Sequence, residues 1–536
     1  MNRNARNLIL FGSIFLGTLL LSEFLLRFYY VELQILMSNY SRRSRVRAHY
    51  AEFVEAAQKA GVSEETFNIY FLGESTMWGV PYGPFACIPG IVDYRLGGNL
   101  QGKPVRAINL AAAAKDATYT RYLSELLLRE KKVFHPSLIV IYTGHNEFLK
   151  YHPTDPDFHA PGVVWLVNHS ELARQLLTAI ARGKGEILET DIRNFLDHDI
   201  FPLDPRGHDK VIKNYQKELL NIVDLAQKNN TPMIISNLVS NYASWEPNRS
   251  VFCDSAKAKA KKQKFVQAFQ RGREAEQQKD YNSALKAYEE AESICEHFAE
   301  VHFRQGEVYE ALHNDEKAWG AFQKAIDEDG MPIRANSQQN NFILSLKRFD
   351  HVHVVDSLTY LRSKTPNGLL DENLIVDGIH PNFEGYLLIS EAIANEIHSL
   401  FAPQGENIRP LDTDTAKKIF NVDQWKIFDV SFQTGRWTTR LATWRYDPTK
   451  RLESAEILFR QAIELAPERY EGYLGLATVY SLKKDWQTAE KFLKKAQDID
   501  TKNVDHYLHT PWVHKLFRRS NLKIKNSAPL QTAAIQ

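Results

Sequence analysis

The chain has 536 residues, of which 24% are charged and 44% hydrophobic, and its formal net charge is +1. Because one domain takes roughly 150 residues, this length predicts about three or four domains. The near-average composition excludes wholesale disorder, a collagen-like repeat and a polytopic membrane protein. The balanced charge provides no chain-wide basic surface, so the sequence predicts no nucleic-acid partner.

An apolar stretch near the N-terminus predicts one transmembrane helix. Leu8–Val31 contains only Glu23 and Arg27 as charged residues, and it exceeds the roughly 20 apolar residues that a bilayer core requires. The residues after Ser22 lack the small-residue pattern of a signal-peptide cleavage site, which favours an uncleaved anchor. The alternative is a buried amphipathic helix, in which Glu23 and Arg27, four positions apart, form a surface pair.

Strand and helix signals alternate along the chain from residue 67 onward. Apolar β-rich runs predict strands at 67–72, 104–110, 137–144, 232–239 and 351–357. Apolar residues three and four positions apart predict helices at 118–132, 210–228 and 386–400. Strands separated by helices indicate parallel pairing with helices on both faces, so we predict a three-layer α/β sheet domain.

A repeated pattern interrupts these signals with the 34-residue period of tetratricopeptide helix hairpins. Four positions recur, namely Gly272, Ala284, Tyr288 and Ala291 as Gly306, Ala318, Phe322 and Ala325. A second array is predicted near the C-terminus from Ala455, Phe459, Ala462 and Pro467 and from the unit spanning 473–496. The alternative, generic amphipathic helices, would not keep this register over two repeats.

The cysteines and the remaining motifs indicate neither a metal site nor a cofactor. Cys87, Cys253 and Cys295 have no metal-ligand spacing, and an odd number cannot all pair within one chain. The redox compartment therefore stays open. We find no Gly-rich phosphate loop, and we predict no cofactor and no metal.

Three short polar segments follow the predicted strands and contain the groups that an acyl-transfer site needs. Ser75, in GESTMWG, offers a hydroxyl nucleophile, although such a serine is more often a helix N-cap. Asn146, in GHNE, can donate to an oxyanion or occupy a turn. Asp377 and His380, in DGIHP, have the spacing of a carboxylate that orients an imidazole base, a spacing that is common by itself.

This combination resembles the SGNH/GDSL hydrolase superfamily, and more narrowly the membrane-anchored bacterial SGNH-like proteins with tetratricopeptide repeats. The resemblance implies that Ser75 is the nucleophile, His380 the base and Asp377 its orienting partner. It also implies that the Asn146 amide and the backbone N–H groups of Ser75 and Ala111 bind the oxyanion. Ala111 departs from the family pattern, which has glycine there, but alanine keeps the N–H.

These predictions give the following organisation. We expect, in order, an anchor and juxtamembrane segment at 1–50, the first part of an SGNH-like domain at 51–255, inserted repeats at 256–335, the last part of that domain at 336–402, C-terminal repeats at 403–518 and a flexible tail at 519–536. The predicted fold class is therefore an α/β three-layer parallel-sheet SGNH hydrolase with all-α tetratricopeptide hairpins and one N-terminal transmembrane helix.

The predicted location depends on two opposing signals. Four arginines follow the span within 42–47, and Arg3 and Arg6 precede it, which by charge count places the main domain in the cytoplasm. Long domains translocate largely regardless of charge, and acylated glycans occur in the envelope. We therefore predict a single-pass protein of the bacterial inner membrane with its main domain outside the cytoplasm.

Two functions compete at this level. The first is a serine esterase or O-acyltransferase that acts on an acyl ester such as an acetylated glycan, with repeats that recruit a protein partner. The alternative is an assembly or scaffold protein that binds a partner through its repeats and has a weakly active or inactive SGNH domain. Ala111 slightly favours the alternative.

Overall fold

The computed structural model describes residues 15–18, 21, 39–149, 205–253, 255–402, 407–443, 445 and 447–508. These residues belong to two compact units, the first ending at Val422 and the second beginning at Asp423. Most of the regular structure is helical. The six predicted segments stay predictions, and the last of them, the tail at 519–536, lies outside the described residues.

The first unit contains one six-stranded sheet. Its strands are β1 Phe67–Gly73, β2 Asn99–Leu100, β3 Lys103–Asn109, β4 Leu138–Tyr142, β5 Met233–Ser236 and β6 Val352–Val355. Their order is β2-β3-β1-β4-β5-β6, with β2 antiparallel to β3 and the other pairs parallel. Every residue of β1 and β4 is buried, as expected for apolar strands at the centre of a sheet. The ends of β1 and β4 meet, because Gly73 pairs with Tyr142.

Along the chain, helices precede, separate and follow these strands. They are α1 Tyr50–Lys59, α2 Ser75–Trp78, α3 Ile88–Leu96, α4 Ala117–Arg129, α5 Lys131–Phe134, α6 Pro205–Lys228, α7 Ala256–Ala260, α8 Lys262–Gln277, α9 Tyr281–Ile294, α10 Ala299–Ala311, α11 Asp315–Asp327, α12 Ser337–Ser345, α13 Ser357–Arg362, α14 Phe383–Phe401 and α15 Thr413–Ile419. Polar caps fix several of their starts; for example, the Asn382 side chain accepts from the Gly385 N–H at the start of α14.

The 34-residue period corresponds to two helix hairpins, α8–α9 and α10–α11. A glycine in the first helix of each hairpin contacts an aromatic ring in the second. A Cβ added to Gly272 would lie 2.4 Å from the Tyr288 ring, and one added to Gly306 would lie 2.5 Å from the Phe322 ring. Only glycine permits this approach, which explains why the same residue types recur at this spacing.

A disulfide attaches the first hairpin to the chain that precedes it. Cys253 and Cys295 are bonded across 42 residues of sequence, and Cys295 is the C-cap of α9. Cys87 is free and buried. Two of the three cysteines thus form a pair, which the spacing in the sequence did not indicate.

The second unit contains a further helical array. Its helices are α16 Gln424–Ala442, α17 Thr449–Leu465, α18 Tyr470–Leu482 and α19 Trp486–Leu508. The Phe459 ring of α17 packs against Gly435 of α16 and Gly475 of α18, where added Cβ atoms would lie 2.9 Å and 2.3 Å from it. α19 is kinked at Asp500, and beyond the kink Val504 and Leu508 are buried in the same apolar cluster as Phe459.

The predicted fold class, an α/β three-layer SGNH hydrolase with a transmembrane anchor, is wrong. The structure is mostly helical, and its sheet is small, with strands of only two to seven residues. The predicted sheet domain was based on short β-rich runs that alternate with helices. Strands of this length form a small part of a chain in which one helix, α6, has 24 residues.

The predicted membrane anchor and single-pass location are also contradicted. Across the described ranges, the structure has no helix that combines the length and the apolarity needed to cross a membrane. Of the predicted span Leu8–Val31, only Phe15–Thr18 and Leu21 are described, and the rest lies outside the described residues. A span needs one continuous apolar helix, which an apolar composition does not by itself provide.

Candidate functional site

The sheet places Ser75 and Asn146 at one edge, because β1 and β4 are parallel neighbours and both residues follow a strand end. The close approach of the two strand ends depends on Gly73, where an added Cβ would lie 2.1 Å from the Tyr142 carbonyl oxygen. Asp377 and His380 come from the loop before α14. The Val376 N–H donates to the His380 carbonyl, which closes this loop into a turn.

Three of the predicted site residues form one hydrogen-bonded series. The Ser75 Oγ and His380 Nε2 atoms are 2.8 Å apart, and His380 Nδ1 lies 2.7 Å from Asp377 Oδ2. All three residues are buried. A carboxylate, an imidazole and a hydroxyl in this order allow the ring to accept the hydroxyl proton while the carboxylate fixes the ring's orientation.

The Asp377 carboxylate is held in its ionised form. Burial by itself raises its pKa, but the adjacent His380 ring and the bond to it lower the pKa. The backbone N–H groups of Ile379 and His380, each 2.8 Å from Oδ1, act in the same direction. The net result is a pKa below the usual value, so Asp377 can serve as an anionic partner to His380.

Asn146 presents a donor to this region. Its backbone N–H donates to Glu74 Oε2 at 3.0 Å. Its side-chain Nδ2 is buried and has no hydrogen-bond partner among the described residues. A buried amide N–H without a partner is rare in folded proteins, and it leaves Asn146 able to bind an acceptor atom of a ligand.

The backbone N–H of Ala111, unlike the side-chain amide of Asn146, already has a hydrogen-bond partner. The Ala111 backbone N–H donates to the Asn109 side-chain oxygen at 3.1 Å. The donor that the resemblance assigns to an oxyanion is therefore occupied by a bond within the chain. Ala111 follows β3, so it comes from the strand next to β1, but the structure shows no contact between Ala111 and Ser75, His380 or Asp377 among the bonds of the described residues.

Glu74 is a residue whose importance the sequence interpretation missed. Its buried carboxylate accepts from Thr143 Oγ1 at 2.7 Å, from the Gly144 N–H at 2.5 Å and from the Asn146 N–H. Burial, and then the nearby Glu147 charge, raise its pKa well above the usual value. Glu74 thus connects the loop after β1 to the loop after β4. Its position between a buried strand and Ser75 was the available signal.

His145 has a structural contact. Its Nδ1 atom accepts the Ala335 backbone N–H at 3.1 Å. Burial, and then the charge of His380, lower the pKa of His145 to about 3. The ring is therefore neutral at ordinary pH and connects the loop after β4 to the chain before α12.

The two helical arrays present different surfaces. In the first unit, residues 301–306 of α10 are buried, and the Glu300 N–H donates to Ser250 Oγ at 2.7 Å. A residue that precedes the hairpins thus contacts the first turn of this inner helix. In the second unit, Trp425 at the start of α16 is 50% exposed, so that helix has a solvent-facing side.

Comparison with known proteins finds repeat proteins. No family model matches the chain, and no curated protein matches it. One similar solved structure is YrrB, described as a TPR protein with an unusual peptide-binding site, at 14% identity and a TM-score of 0.14 over 48% of this chain and 98% of that one. Another is Acl4, an assembly chaperone of RpL4, at 13% identity and a TM-score of 0.17 over 48% and 85% of the two chains. At such TM-scores, neither likeness carries an argument about mechanism.

The comparisons contradict the resemblance to the SGNH/GDSL superfamily and the serine hydrolase activity that it implies, because no family model and no curated protein matches the chain. An acyl-ester substrate and a membrane partner likewise have no support. The resemblance depended on three short motifs separated by long stretches of sequence. Motifs of a few polar residues occur in many folds and do not define one.

Proposed function

We propose that this chain is a scaffold protein that binds a partner protein through its helix hairpins. The observation that carries the proposal is the glycine–aromatic packing that recurs in both units, at Gly306–Phe322 and at Gly475–Phe459. Hairpin arrays built in this way present extended surfaces on which a partner can lie. This is the alternative that the sequence left open.

The second unit is the better candidate for the partner surface. In the first unit, the inner helix α10 already contacts the chain near Ser250. That contact, at the first turn of α10, leaves less of this helix open to a partner. In the second unit, Trp425, Asp429 and Gln433 lie on one exposed side of α16. We propose that an extended segment of the partner binds this side, with an apolar side chain against Trp425.

Photo-crosslinking tests this surface in the full-length chain. A benzophenone amino acid replaces Gln433, and in the control it replaces Ile457, a 68% exposed residue of α17. We expect one discrete crosslinked species from position 433, a much weaker yield from position 457, and loss of the species when Trp425→Ala is added. Equal yields from both positions, or a yield unaffected by Trp425→Ala, would overturn the assignment of this surface.

We also propose that Ser75, His380, Asp377 and Asn146 form one reactive site, with Ser75 as its nucleophile. The two short hydrogen bonds of the series and the unpartnered Asn146 amide support this proposal. Ala111 would contribute its N–H only after releasing the Asn109 side chain. The proposal concerns the reactivity of one side chain and includes no esterase activity.

A fluorophosphonate probe tests the reactive site. Ser75 Oγ forms a bond to phosphorus, the phosphorus–fluorine bond breaks, fluoride leaves, and the hydroxyl proton passes to His380 Nε2. We expect labelling at Ser75 that falls by about 100-fold or more in His380→Ala, because the base acts together with the nucleophile. The control Ser399→Ala, at an exposed serine of α14, should label normally. Labelling that persists in Ser75→Ala contradicts the proposal.

A further inference from the structure

One stretch of chain, residues 241–249, lies between the inserted hairpins and the loop that contains Asp377 and His380. We call it the bridging segment. It belongs to the first unit, as do the hairpins and the loop. None of its residues was a candidate in the sequence, because it has no motif and belongs to the irregular chain some residues after β5.

The bridging segment is bound to the end of the hairpins. The Asp329 carboxylate, two residues after α11, accepts the backbone N–H groups of Asn248 at 2.8 Å and of Arg249 at 2.9 Å. Asp329 is itself buried. The Tyr242 ring stacks on the Trp319 ring of α11 with 4.2 Å between their centroids. The segment therefore cannot shift without disturbing α11 or its C-terminal end.

The bridging segment is also bound to the loop of His380. The Asn241 backbone N–H donates to the Gly378 carbonyl at 3.1 Å, and the Asn241 side chain donates to the Ile375 carbonyl at 3.0 Å. The Trp245 ring packs directly on Gly378, since an added Cβ there would lie 2.9 Å from Trp245 Nε1. Gly378 lies between Asp377 and His380, so these contacts act on the loop that supplies both groups.

A buried arginine fixes the shape of the segment. Arg334 donates to the carbonyl oxygens of Asn241 at 2.7 Å and of Trp245 at 2.6 Å. The next residue, Ala335, donates its N–H to His145, which precedes Asn146. The chain that follows the hairpins thus contacts both sides of the reactive site, the His380 loop through the bridging segment and the Asn146 loop through His145.

We propose that the inserted hairpins hold the Asp377–His380 loop in position through the bridging segment, and that Asp329 and Trp245 are positioning residues for His380. The inference rests on the proposed reactive site. It assigns the hairpins of the first unit to support of that site and leaves partner binding to the second unit. A displacement of His380 from Ser75 by even about 1 Å strongly lowers the rate of a proton-coupled bond formation.

The test measures the rate of fluorophosphonate labelling of Ser75 against pH in full-length protein. The variants are Asp329→Ala, which removes the bonds to the segment, and Gly378→Ala, which pushes against Trp245. Asp329→Asn keeps one acceptor oxygen and should rescue part of the rate. Gly320→Ala in α11 is the matched control, because an added Cβ there has nothing within 4 Å. Urea unfolding confirms that each variant is folded.

We expect labelling at least about tenfold slower in Asp329→Ala and Gly378→Ala, with a shift in the pH of half-maximal rate that a purely structural change would not cause. Gly320→Ala should match the wild type in both respects. Unchanged rates and pH profiles in the folded variants overturn this inference and leave the reactive site intact. A wild-type chain that the probe does not label overturns the reactive site and this inference with it.

Discussion

Glu74 accepts the backbone N–H of Asn146 at 3.0 Å, although the two residues are 72 positions apart in sequence. This bond, with those from Thr143 and Gly144, connects the loops after two neighbouring strands. We expect Glu74→Ala to lower the free energy of unfolding by about 2–4 kcal/mol, because three buried donors lose their acceptor. Glu74→Gln should lower it less. Urea unfolding measures both, with the exposed Glu65→Ala as control. A loss in Glu74→Ala no larger than in the control would contradict the structural role.

The glycines of the inserted hairpins provide a matched pair of substitutions. Gly306→Ala places a methyl group 2.5 Å from the Phe322 ring, and we expect it to destabilise the protein by about 1–3 kcal/mol through overpacking. Gly320→Ala adds a methyl group into open space on helix α11 and should stabilise the protein by about 0.5–1 kcal/mol. Thermal unfolding of the two variants under the same conditions checks the opposite signs. The packing account fails if both changes have the same sign.

The disulfide closes a loop across 42 residues of sequence. Its loss frees the unfolded chain, and for a loop of this size we expect a loss of stability of about 2–4 kcal/mol. Cys253→Ser with Cys295→Ser is compared with wild type in denaturant, each with and without a reducing agent. The reducing agent should destabilise only the wild type. An equal effect on the double variant would show that the stabilising bond is not this one.

The lowered pKa of His145 predicts that the stability of the protein depends on pH. Its folded pKa of about 3 lies below that of an unfolded histidine, so on acidification the unfolded chain takes up a proton that the folded chain does not. Stability from this residue is full above the unfolded pKa and falls as the pH drops toward the folded pKa. Between pH 7 and pH 5, we expect wild type to lose about 1–2 kcal/mol more than His145→Gln. If the free energies of unfolding of the two proteins, measured in urea, change equally with pH, this prediction is wrong.

The sequence predicts those features of the structure that depend on the spacing between residues of a given type. The recurrence of Gly272 at Gly306 predicts hairpins because helix crossings require a small residue at a fixed period. The order of Ser75, Asn146 and His380 after strand-like runs indicates that they can meet, and their roles stay predictions. Spacing could not show that Asn109 occupies the Ala111 N–H, because that bond depends on the side-chain conformation at one strand end.

The long-range contacts and the fold class could not be predicted from the sequence, for different reasons. The bridging segment has no motif, and its effect on Gly378 comes from contacts between residues more than 130 positions apart. Short β-rich runs alternating with helices led to the prediction of a three-layer α/β hydrolase, but such runs do not show how small the sheet is relative to the helices. The number of apolar residues in Leu8–Val31 predicted a transmembrane span, but a residue count does not show that these residues form one continuous helix.

The single ring of Phe459 contacts helices on both sides of its own, at Gly435 and at Gly475. One side chain thereby couples three consecutive helices, so α16 and α18 cannot move apart from α17 independently. Substitutions at the two glycines act on the same ring, and their energetic effects are therefore not additive. We therefore expect the second unit to unfold as one cooperative block rather than as a series of separable repeats.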